Sequence, residues 1–127
     1  MKKILLPLVC VISLSACAEE QELDCENAYR TADMNQCASQ AWESARQTME
    51  QYYEASLKHH EENENLTQAI TAGQESWDNY QNKHCGAIHT QWQDGSIRDV
   101  VTFGCKTKLA KQRTHELWES FLTYMDD

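Results

Sequence analysis

Apolar and aromatic residues recur every three or four positions over two long stretches of this chain. From Ala32 to about His60 the repeat runs Ala38, Trp42, Ala45, Met49, Tyr52 and Ser56, with Tyr53 and Leu57 widening it. Steps of four and three stay on one face of an α-helix. Glu, Gln and Arg fill many of the other positions, so the stripe reads as core rather than as a ligand groove. A second helix is expected from about Leu66 to Cys85 or beyond, through Leu66, Ile70, Gly73, Trp77, Tyr80 and His84. Gly73 costs about 1 kcal/mol there relative to Ala and is read as a point of close approach to the first helix. Between the two, His59 to Asn65 holds no apolar residue and reads as a solvated helix end and turn.

The third stretch admits two readings. Cys85 and Cys105 lie ten residues on either side of Gly95, so a chain that doubles back at Asp94-Gly95 brings the two sulfurs together. The doubled chain is either a β-hairpin turning between Gln91 and Ile97 or a pair of helices. In the helical form Ser96 is the N-cap, with Asp99 at the third position of the helix. Gly104 and the β-branched run Val100-Val101-Thr102 favour the hairpin. The absence of Pro and Gly from Lys106 to Met125 favours the helix, which is preferred. Leu117, Phe121 and Tyr124 continue an apolar face, with Trp118, Leu122 and Met125 on a neighbouring one suited to a partner. The expected fold is all-α, a small disulfide-stapled bundle of about three antiparallel helices.

The N-terminus changes the picture of what the mature protein is. Lys2 and Lys3 precede an apolar run from Ile4 to Leu14, too short to span a membrane in the ordinary way. The run ends in Leu14-Ser15-Ala16-Cys17, which resembles the lipobox of bacterial lipoproteins. Residues 1–16 are therefore expected to be a signal peptide and Cys17 the lipidated residue. The stretch 17–24 is a short tether and 25–127 the folded domain. About seven residues of tether hold the domain within roughly 25 Å of the bilayer. Ala18 after the cysteine resembles an outer-membrane address facing the periplasm. Four cysteines remain, and in an oxidising compartment they imply two disulfides with three connectivities open. The midpoints at Thr31, a candidate cap for a helix from Ala32, and at Gly95 favour Cys25–Cys37 and Cys85–Cys105.

Without the signal, nine Lys and Arg remain against twenty Asp and Glu, a net charge of −11. Such a surface repels nucleic acid and anionic lipid and attracts cationic proteins. No cofactor is expected, and no metal site either, since neither cysteine pair has zinc-knuckle spacing. His84 and His89 read as structural or surface residues. A hydrolase built on paired Asp and Glu would need a concave site with convergent carboxylates, which evenly spread acids do not supply.

The order Cys25, Met34-Asn35-Gln36-Cys37, Trp42, Met49, Tyr53, Gln74, Trp77, Tyr80, Cys85, Gly95-Ser96, Cys105, Leu109, Arg113 and Leu117 resembles the LprI-like lysozyme-inhibitor domain family. The resemblance covers nearly all of the mature chain. The four cysteines with Trp77, Tyr80, Arg113 and Leu117 carry most of its specificity. It departs from the family pattern at Arg46, Glu50, Gln81-Asn82 and Ala110. The resemblance implies an envelope protein that binds and inhibits lysozyme, a strongly cationic enzyme. The other reading is an adaptor lipoprotein docking a periplasmic protein through the Trp118–Met125 face. The oligomeric state is open. For Arg113 the expected role is structural, pairing with Glu75 or Asp78 on a neighbouring helix.

Overall fold

The computed structural model describes residues 23–123, and these form three helices: α1 Thr31–His59, α2 Glu64–Gln91 and α3 Arg98–Phe121. The chain from Ala87 to Cys105, readable as hairpin or helix, is helical on both sides of a short turn. The signal peptide and the Cys17 site lie outside the described residues.

Residue preferences account for the long elements. α1 is 29 residues without Gly or Pro, rich in Ala, Gln and Glu. Its N-terminal cap is Arg30 in an extended conformation, with no side-chain cap bond, so Thr31 opens the helix rather than capping it. α2 starts two residues before the expected Leu66 because Asn63 caps it, its Oδ1 accepting from the Leu66 N–H at 3.1 Å. A capping side chain of this kind satisfies one of the free N–H groups of the first turn.

The α2–α3 turn differs from the expected capping box. Ile97, not Ser96, is the N-cap of α3, and it makes no side-chain cap bond. The turn is closed instead by the Gly95 N–H to the Trp92 carbonyl at 2.8 Å, and by Arg98 Nη1 to the Gln93 carbonyl at 2.9 Å. A Cβ on Gly95 would come within 3.2 Å of the Trp92 carbonyl oxygen, so close approach, not an unusual φ, favours glycine there. Asp99 is drawn towards His89 across the turn, 3.5 Å away.

α3 is the central element. α1 packs along it extensively and α2 less so, while α1 and α2 touch each other only slightly. The core is Ala45 and Met49 of α1 against Ala110 and Leu117 of α3, ringed by Trp42, Tyr52, Tyr53, Trp77 and Phe121. Two disulfides fasten the ends. Cys25–Cys37 ties the incoming chain to the start of α1, and Cys85–Cys105 ties α2 to α3 across the turn.

The buried face of α1 is the one its periodicity marks. That of α2 is rotated: its buried residues are Ile70, Gln74, Gln81 and Cys85, while Tyr80 and His84 are exposed. Both sets have helical spacing. The disulfide at Cys85 turns the second set towards α3. Gly73 consequently sits beside α3, not α1; the nearest atom to a Cβ there is the Arg113 guanidinium at 3.8 Å.

Candidate functional site

Arg113 is the junction of the three helices. Its side chain is only 14% exposed. Nε donates to Gln74 Oε1 of α2 at 3.0 Å, and Nη1 donates to Glu116 Oε2 at 3.2 Å. The Gln74 amide in turn donates to the Met49 sulfur of α1, 3.7 Å away. The expected partners Glu75 and Asp78 do not receive its hydrogen bonds, because Gln74 is the residue of that turn rotated into the interface. Asp78 feels the guanidinium as a nearby charge. Gln74 and Gln81 are the buried polar side chains of α2. A purely apolar pattern search passes over both, and the signal for Gln74 is its place one turn before Trp77.

Carboxylates gather where α1 and α2 part. Arg46 binds Glu43 through Nε at 3.1 Å and through Nη2 at 2.8 Å, and its Nη1 also donates to Glu50. The bonds from Arg46 and Gln47 hold the Glu43 carboxyl below its ordinary range, and the same Glu43 bond raises Arg46 further above its own. Across the gap, Asp78 is pushed up, first by desolvation and then by repulsion from Glu50, with Arg113 and a Gln74 hydrogen bond partly opposing. Arg46 and Glu50 thus belong with Glu43 to one surface network.

The structure separates the four motif residues. Leu117 is fully buried and Trp77 packs at the edge of the core. Arg113 is the polar junction. Tyr80 is 53% exposed and stacks on His84, ring centroids 5.4 Å apart. Three of the four therefore hold the fold, and Tyr80 alone stands open to a partner. Among the described residues no group of three or more His, Cys, Asp or Glu side chains is placed to hold a metal ion.

Residues 24–117 match the family described as lysozyme inhibitor LprI. The chain is also similar to an uncharacterized protein of Rhizobium meliloti (strain 1021), 24% identical over 125 residues and covering 90% of each chain. No solved structure matches.

Proposed function

Because the chain belongs to the LprI lysozyme-inhibitor family, we propose that it is an envelope lipoprotein that binds lysozyme and blocks it without chemistry of its own. The family match over residues 24–117, most of the helical domain, is the observation that carries this reading. The charge supports it: a chain that carries −11 without its signal peptide and a cationic enzyme attract at long range. Glu43, Glu50 and Asp78 offer a contact. Glu50 and Asp78 repel each other across the α1–α2 gap, and a Lys or Arg of the target entering between them relieves that repulsion. A binding role fits better than a hydrolytic one. A glycosidase works with two carboxyl groups flanking the bond it cuts, and the grooves beside α3 are lined by no Asp or Glu.

In this reading residues 1–16 are the signal peptide, Cys17 carries the lipid, and 17–24 tether the domain 25–127 to the outer membrane, facing the periplasm. Cys17→Ser then leaves an uncleaved or unlipidated precursor. Palmitate labelling of that variant together with outer-membrane fractionation would show the anchor to be wrong.

Inhibition is measured directly. Purified mature protein added at stoichiometric amount to lysozyme should stop cell-wall cleavage, by 1:1 binding that survives 0.15 M salt and that a chitin oligosaccharide competes away. Cytochrome c, small and basic but without a glycan cleft, is the control. Equal binding of the two, or cleavage that persists at excess protein, sinks the inhibitor. The adaptor reading then takes its place, supported by Trp118, which is 45% exposed.

A further inference from the structure

Charge is shared unequally among the faces of this acidic molecule. Three grooves run beside α3 and meet on its outer side. The first lies between α1 and α3 over Ala41, Ser44, Thr48 and Lys111. The second continues it past Ala38 to Gly104 and Lys108. The third shares Gly104 and Lys108 and extends to Tyr80 and His84 of α2. None of the three is lined by Asp or Glu, although the sequence holds twenty of them. Lys108 and Lys111 are the fixed charges of this surface.

The outer side of α3 is patterned. Val101, Gly104, Lys108, Lys111, His115 and Trp118 follow at steps of three and four, one stripe of a helix facing away from Ala110 and Leu117. Trp118 is half-exposed, with the His115 ring stacked on it at 5.6 Å. Glu119, exposed on the same side one turn after His115, pairs with it at 3.7 Å. The chain also enters the fold on this side. Cys37 lies one turn before Ala41 on the groove side of α1, and its disulfide holds Cys25 there.

We propose that this outer face of α3 rests on the surface of an anionic phospholipid bilayer. The proposal depends on the Cys17 anchor only for proximity. The net charge of the whole molecule repels such a surface from solution. A domain already held within a tether's length must turn one face to it, and the face whose grooves carry lysines and no carboxylate is the one it turns. Each lysine near an anionic leaflet is attracted within a Debye length. Trp118 brings the amphipathic ring favoured at the headgroup level. Among the described residues no helix is long and apolar enough to cross a membrane, so the contact is superficial. It leaves Glu43, Glu50 and Asp78, at the parting of α1 and α2, directed away from the bilayer and towards an arriving cationic target.

The test replaces the natural anchor, so that it stands whether or not Cys17 is lipidated. The mature chain, with a histidine tag in place of Cys17, is held on vesicles through a nickel-chelating lipid. The vesicles contain either phosphatidylglycerol with phosphatidylcholine or phosphatidylcholine alone, each with brominated acyl chains that quench nearby tryptophan. On the anionic vesicles we expect quenching that falls by at least about half in Trp118→Phe. It should fall similarly in Lys108→Glu/Lys111→Glu and be weak on neutral vesicles. Circular dichroism verifies that both variants stay helical. Absence of quenching in the tethered wild type overturns the proposal, as does quenching that persists in both variants or is equal on neutral lipid. A dimer in solution that Lys108→Glu/Lys111→Glu dissolves would assign the face to a second copy of this chain, and also overturns it. Loss of lysozyme inhibition in a separate assay leaves this result untouched.

Discussion

Arg113 shows what one side chain does when it is nearly buried between helices. Its bond to Gln74, and that of Gln74 to Met49, carry the polar part of a three-helix contact. Arg113→Ala orphans the Gln74 oxygen at a cost of about 1–3 kcal/mol. The melting temperature should fall by roughly 4–8 °C for each kcal/mol in a domain of this size. Lysozyme binding should stay unchanged wherever the variant remains folded; unchanged stability with lost binding would place Arg113 at the interface. Asp78 behaves in the opposite sense. Its carboxyl is raised above its ordinary range, chiefly by desolvation. The folded state therefore holds its proton more tightly than the unfolded state does. Its contribution to stability is greatest in acid and declines as pH rises from the ordinary carboxylate range through the raised value. Asp78→Asn should melt higher than wild type at pH 7, and the gain should vanish below the carboxylate range. If Asp78 meets a cation of lysozyme, the same variant binds more weakly, a gain in stability with a loss of function. Thermal melts at several pH values and one titration with lysozyme decide both.

At the scale of elements, the disulfides set which faces meet. Cys85–Cys105 closes a separation of 20 residues and Cys25–Cys37 one of 12; in the chain-entropy model each stabilises by about 3 kcal/mol. Their consequences differ. Cys85 is fully buried, whereas Cys25 and Cys37 lie outside the core. The double variant Cys85→Ala/Cys105→Ala should lower global stability by about that amount and loosen α2 from α3. Cys25→Ser/Cys37→Ser should free mainly the first turn of α1. Hydrogen exchange resolves the two: protection lost along α2 in the second variant would contradict this division. Peptide mapping without reduction tests the pairing itself, and a peptide joining Cys25 to Cys85 or Cys105 would rule it out.

At the scale of the molecule, charge governs encounter. Raising ionic strength from about 0.01 to 0.15 M shortens the Debye length from about 30 to about 8 Å. Association with lysozyme should slow by about tenfold or more, with little change in dissociation. Stopped-flow traces across that range test it, with cytochrome c as the control for attraction by charge alone. A rate independent of salt would mean that the acidic surface takes no part in the encounter.

The sequence by itself determined the class of fold, because the periodicity of α1 and the spacing of four cysteines are local properties written along the chain. It carried the family likeness for the same reason. It left undecided what depends on rotation about a helix axis. Ile70, Gln74, Gln81 and Cys85 have the same spacing as the stripe containing Tyr80 and His84, and only packing on α3 chose between them. Tyr80 is therefore a surface residue, Gln74 the partner of Arg113, and Gly73 a neighbour of α3. The starts of the helices likewise escaped local reading, since α3 is begun by turn hydrogen bonds around Gly95 and not by the Ser96 side chain. The lysine-lined grooves without carboxylates were hidden in a net charge of −9. A sum over residues holds no direction, and only the placement of α1 and α2 about α3 gives the charge its sides.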